Sequence, residues 1–217
     1  MPSHEAQHGN IVKRGTRFFW VNELVGYLSV LPLLTGYKLL KETHMLHHKY
    51  TNVPEKDPDI VTKSSGFFHS LWVCGVKLRQ PNAGYGLQSN FYRENISSRA
   101  FKEHLIFFWF HWILLAFLCL SGHGLVVIAI WWLPRLIGTA YLQITLSFLP
   151  HKPMEKVGRY RDTRGWKAST GTILTQGMEY HIIHHLYPSI PLHKTPSAYR
   201  DMRHILEEKN CVLDGGI

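Results

Sequence analysis

Cysteine is scarce: Cys74, Cys119 and Cys211 stand far apart, and no two have the C-x-x-C spacing. That argues against a disulfide framework and against a cysteine-ligated zinc or iron–sulfur site. Acidic residues are few as well, 15 against 24 Lys and Arg, for a net charge of +9. Glu-x-x-His, from which soluble di-iron bundles draw bridging carboxylates, is spelled once, at Glu5 to His8. Residues 1–17 carry no apolar core of the signal-peptide kind. No helix-turn-helix, zinc-finger or RNA-recognition pattern occurs, so the positive charge points to an anionic membrane surface, with no nucleic acid expected.

Histidine is what the chain has in excess, 15 residues in 217. Nine of them fall in four compact places. His4 and His8 are spaced i, i+4; His44, His47 and His48 spell H-x-x-H-H; His181, His184 and His185 repeat that spelling; His151 lies between the last two clusters. On a helix, offsets of three and four return to one face, so each cluster presents its imidazoles together. Neutral imidazole is the commonest side-chain metal ligand and suits iron, zinc, copper and nickel. A tetrahedral zinc takes at most four ligands, so nine are too many for one ion and about right for two. His69, His104, His111, His123, His193 and His204 are isolated and read as ordinary histidines.

The apolar run Phe18–Leu40 contains Asn22, Glu23, Gly26, Pro32 and Gly36, an unusual set for a clean spanning helix. Clusters flank it on both sides. If both serve one metal centre, the run must leave and return on the same side, which predicts a re-entrant or interfacial helical segment broken near Pro32. Residues 49–59 read as a loop, with Asp57 and Asp59 as candidates to orient ligating imidazoles from behind. Short helices at the membrane surface are expected over 61–104. Leu105–Leu120 and Leu125–Leu149, about 24 and 37 Å long as helices, flank the tight turn Ser121-Gly122-His123-Gly124 and predict a transmembrane helical hairpin. Arg135 is a charge inside the second run. The turn carries no Lys or Arg, whereas Lys152, Lys156, Arg159, Arg161, Arg164 and Lys167 follow the hairpin, which places the histidine side in the cytoplasm. A soluble amphipathic helix is expected from about Thr195 to Lys209, with Pro196 in its first turn.

Many imidazoles above an apolar slab point to chemistry on something dissolved in lipid. Zinc does no redox work, whereas iron ligated by histidine can activate O₂. H-x-x-x-H, H-x-x-H-H and a second H-x-x-H-H, in this order around a hydrophobic hairpin, resemble the membrane fatty acid desaturase superfamily of di-iron desaturases, hydroxylases and ketolases. Residues 49–59, Phe148-Leu149-Pro150-His151-Lys152-Pro153 and Tyr180–Pro191 are similar to its carotenoid-modifying branch, in particular the cyanobacterial-type β-carotene hydroxylases and the ketolases.

The resemblance implies a single desaturase-like domain over 1–217, all-α and integral to the membrane, multi-pass, with the hairpin, re-entrant or interfacial helices and a cytoplasmic histidine-rich di-iron cap. It implies that His4, His8, His44, His47, His48, His151, His181, His184 and His185 ligate two iron ions, with Ser147 in the place of a residue that can hold a metal-bound water. O₂ would be the co-substrate and a separate ferredoxin or cytochrome the electron donor, for which the basic residues 152–167 offer a docking surface. Family members usually carry two transmembrane helices before the first box, and here Met1-Pro2-Ser3 precede His4. The leading expectation is hydroxylation of a carotenoid ring, and the runner-up desaturation of a fatty-acyl lipid. A histidine-rich membrane metal-binding or transport protein is a more distant alternative, and a bis-histidine cytochrome using His111 and His123 more distant again.

Overall fold

The computed structural model describes residues 1–79, 90–168 and 172–213, and among these the regular structure is entirely helical. The N-terminal helix Pro2–His8 starts with a proline and ends on Gly9 in the left-handed region, φ 72°, as a glycine C-cap should. The apolar run that follows is broken where Pro32 stands: Val21–Val30 is one helix, and Tyr37–Tyr50, which carries the first H-x-x-H-H, is the next. Two glycines permit these helices to close up. A Cβ on Gly26 would stand 2.2 Å from the Tyr37 ring, and one on Gly36 would stand 2.9 Å from the His104 backbone. Buried Ala6, Val30 and Tyr37 form the small core thus made.

Short helices Phe67–Gly75 and Asn90–Asn95 form within 61–104, and a short helix, Pro58–Thr62, begins at the end of the expected 49–59 loop; residues 80–89 lie outside the described residues. The first long apolar helix begins earlier than its hydropathy shows. It runs Ser98–Leu118, because the Ser97 hydroxyl accepts the Ala100 N–H at 3.2 Å and starts the helix on polar residues. Helical structure continues to His151, with one non-helical residue, Gly122, at φ 83° in the expected turn. On a straight helix His111 and Trp131 would be about 30 Å apart. Their rings are 5.6 Å apart, and those of Trp112 and Trp132 are 5.8 Å apart, so the two limbs turn back on each other at Gly122. The second limb contains two wider turns with i→i+5 bonding, at Ile128–Trp132 and Gln143–Phe148. Each stands just before a proline, Pro134 or Pro150. There the Leu133 and Leu149 N–H groups reach back to the Ile128 and Ile144 carbonyls, which absorbs the ladder bond that proline cannot make.

Both limbs display bulky apolar side chains outward, among them Ile106, Phe110, Ile113, Phe117, Leu125, Ile130 and Ile137. A patch of that extent marks a surface meant for lipid or protein. Arg135 places its guanidinium 4.3 Å over the Trp132 ring. Two of the basic residues in 152–167 also bond within the chain. Arg164 is buried and its Nε donates to the Leu149 carbonyl at 2.9 Å, closing the end of the second limb; Arg159 donates to the Leu186 carbonyl at 2.8 Å. Both bonds tie neighbouring segments together, and both side chains keep their charge. The second H-x-x-H-H forms the helix His181–Leu186, and the C-terminal helix runs Thr195–Glu208, packing Tyr199 and Leu206 against Ile182, Ile183 and Leu186.

Candidate metal centre

All nine clustered histidines come together, from four separate stretches of helix. His4, His8, His44 and His184 each offer a ring nitrogen within 4.8 Å of the others, and His47, His151 and His185 do the same beside them. His48 joins the first group, its Nε2 lying 2.9 Å from that of His184 and 3.2 Å from that of His44. His181 joins the second, with its Nε2 3.1 Å from that of His185. The two groups are contiguous: the His48 and His185 ring centroids are 4.4 Å apart.

The donor chemistry fits metal ions. His8, His44, His48 and His184 form an unbroken series of Nε2 atoms at 2.8, 3.2 and 2.9 Å. A neutral imidazole has one N–H, so such a series brings together lone pairs that protons cannot all satisfy. Two nitrogens bound at about 2.0–2.1 Å to one ion stand about 2.9 Å apart at a right angle and about 3.3–3.4 Å apart at the tetrahedral angle, and the observed 2.8–3.2 Å lies toward the right-angle end. His4, buried, has both ring nitrogens without a hydrogen-bond partner among the described residues, so one is open to a metal. Five histidines in the first group exceed the four that a tetrahedral zinc accepts. Burial first, and neighbouring imidazoles second, push the pKa of His8 down to about 3 and hold His44, His181, His184 and His185 well below the ordinary range, so these rings are in the neutral, ligating form.

The second group is held from behind. Asp57, buried, accepts from His47 Nδ1 at 2.9 Å, while its two oxygens also accept the N–H groups of Asp59 and Asn52 at 2.9 and 2.8 Å. Burial resists charge on His47, but nearby Asp59 and the bond to Asp57 outweigh it and the pKa rises. The carboxylate thus polarises that ring. The Thr51 hydroxyl spends its proton on the His47 carbonyl at 2.7 Å, so it can only accept from His185 Nδ1, at 3.4 Å. The Asp162 carbonyl accepts from His151 Nδ1, also at 3.4 Å. In all three rings Nδ1 carries the proton and Nε2 is left for a metal.

The structure places Asp57, a candidate to orient an imidazole, against His47. Asp59 stands 3.7 Å from His47 Nδ1, outside hydrogen-bond range, and acts through its charge. Ser147 is half-buried one turn before His151 and makes no hydrogen bond to the histidines among the described residues. Thr51, Asn52 and the Asp162 carbonyl escaped sequence reading. Asn52, at φ 65°, offers its side-chain amide to the carbonyls of Met154, Lys156 and Asp162 at 3.2, 3.0 and 3.3 Å, tying the loop after the first box to the loop after His151. A backbone carbonyl leaves no sequence signal, and Asn52 sits in a loop whose acids drew the attention.

The six other histidines stay out of the site. His104 accepts the Gly36 N–H at 3.2 Å, His69 pairs with Ser65, and His123, His193 and His204 are exposed. His111 faces two carbonyls, of Phe107 and Leu31, each at 2.7 Å, which leaves no nitrogen for a haem iron.

Comparison with known proteins agrees. The chain is 25% identical to fatty acid conjugase FAC2 B of Calendula officinalis, over 95% of this chain and 64% of that protein. It is 23% identical to the sn-1 oleoyl-lipid 12-desaturase of Picosynechococcus sp., over 92% of this chain and 63% of that one. The chain thus spans somewhat less than two thirds of the length of these relatives. No solved structure matches it. The family model described as "Fatty acid desaturase" matches residues 1–215, and the chain belongs to that family.

Proposed function

We propose that this protein is an integral-membrane di-iron oxidoreductase that uses O₂ to desaturate the acyl chain of a lipid. The observation that carries the reading is the convergence of His4, His8, His44, His48 and His184 beside His47, His151, His181 and His185, at the end of a limb clad in apolar side chains. These nine histidines are the proposed iron ligands. Two bound irons would supply the redox capacity to cleave O₂ and remove hydrogen from an unactivated C–H bond. The reaction balances when two hydrogens leave adjacent methylene groups, two further electrons come from a separate donor with two protons from solvent, and O₂ leaves as two waters.

The chain's own part is positional. Asp57, Thr51 and the Asp162 carbonyl keep three rings in one tautomer, and Arg164 fixes the end of the limb that bears His151. The two limbs meeting at Gly122 are read as a membrane hairpin. The preceding segment, broken at Pro32, returns to the histidine side, which the basic residues after 151 assign to the cytoplasm. A ferredoxin or cytochrome would dock there.

Acyl lipid is preferred to carotenoid because the relatives are named for acyl-lipid desaturation or fatty acid conjugation, and none of those found supports the carotenoid branch. Expression in a host rich in oleoyl lipids and in one that makes β-carotene, with analysis of fatty acids and pigments, tests this. New double bonds in acyl chains, absent with His184→Ala, are expected. Hydroxylated carotenoids beside unchanged acyl chains would overturn the acyl assignment.

A further inference from the structure

The first limb starts in a fixed place. Ser97 donates its N–H and its hydroxyl to Glu42 at 2.7 and 2.6 Å, which anchors this helix start to the helix of the first H-x-x-H-H. Arg99, Lys102, Ile106 and Phe110 follow at intervals of three, four and four residues, so they share one face over about 16 Å of helix. That face lines a groove of about 700 Å³ whose wall also includes Lys38 and Glu103. Its upper end is cationic and its lower end apolar, with Ile106 73% and Phe110 58% exposed.

The charges at the upper end are not balanced. Glu103 is committed to Lys38 at 2.7 Å and to the Tyr27 hydroxyl at 2.8 Å. Arg99 and Lys102 are exposed and have no counter-ion among the described residues. We propose that this groove binds an anionic phospholipid, with the headgroup phosphate between Arg99 and Lys102 and an acyl chain along Ile106 and Phe110. The order along the helix, cations first and apolar side chains below, is that of a lipid at the point where a helix enters the bilayer. A zwitterionic headgroup fits less well, because Glu103 is already neutralised and no second carboxylate lines the groove to meet its ammonium. An acidic redox protein would need polar surface where Ile106 and Phe110 continue into lipid. The proposal rests on the membrane reading above.

The test is native mass spectrometry of the detergent-purified full chain, equilibrated with equal amounts of phosphatidylglycerol and phosphatidylcholine. The wild type should retain phosphatidylglycerol selectively, and the double substitution Arg99→Gln with Lys102→Gln should reduce that preference by up to about thirtyfold, fivefold or so per cation. Arg99→Lys with Lys102→Arg should preserve it. Thermal melting confirms that the variants fold, as expected for exposed side chains. An equal preference in wild type and the Gln variant would overturn the site while leaving the membrane reading intact. A ferredoxin-supported rate that falls with lipid retention unchanged would give the two cations to a redox partner and overturn it as well. Extraction into aqueous buffer without detergent would contradict the membrane reading itself and take the proposal with it.

Discussion

The Nε2 atoms of His8 and His44 lie 2.8 Å apart, though 36 residues and a helix broken at Pro32 separate them in the chain. The segment between them therefore turns back, bringing the end of the first helix to the middle of the third. The helix that returns depends on Gly26 and Gly36 for its close approach to its neighbours.

Gly26→Ala tests that approach. Its Cβ would meet three atoms of the Tyr37 ring at 2.2, 2.3 and 2.7 Å, with Tyr37 fully buried. Overpacking of this kind costs about 1–3 kcal/mol, and more where the ring cannot shift. A melting temperature lowered by several degrees, with metal retention reduced, is expected. An unchanged melting temperature would mean that the helices Val21–Val30 and Tyr37–Tyr50 pack differently.

Asp57→Asn tests the support behind the second group. Asparagine has one acceptor oxygen, so it can keep only one of the Asn52 and Asp59 N–H groups, which bond to different oxygens of Asp57, and it brings no charge to His47. Loss of such a partner typically weakens metal affinity by about 10–100-fold. Competitive titration with a chelator should show one of two metals released more readily. If both metals are held as in the wild type, Asp57 serves only as the cap of Pro58–Thr62.

Arg164→Gln separates structural from topological charge. Arg164 is 3% exposed and bonds the Leu149 carbonyl, so its loss should cost roughly 1.5–3 kcal/mol, whereas exposed Lys167→Gln should cost almost nothing. Equal melting temperatures for the two variants would contradict the assigned role.

Much of this was legible in the residues themselves. H-x-x-H-H at helical spacing marks both histidine-bearing helices, Pro32 marks the break, and Ser121-Gly122-His123-Gly124 marks the turn between the limbs. What stayed hidden was of two kinds. One is a local backbone adjustment, such as the i→i+5 turns before Pro134 and Pro150, where the sequence shows the proline but not how the helix absorbs it. The other is pairing across long separations. The contact of His48 with His184 spans 136 residues, and the Asp162 carbonyl behind His151 has no side-chain signature at all. Arg164 shows a related difficulty: it is spelled like its basic neighbours, and only burial distinguishes it.

The most direct test is the metal content of the detergent-purified protein, wild type beside His184→Ala, since His184 is fully buried and its Nε2 touches that of His48. About two irons per chain in the wild type, with clear loss in the variant, are expected from a group of five and a group of four imidazoles. Protein that carries zinc alone, or the same iron content in both forms, would contradict the di-iron centre proposed for the nine histidines.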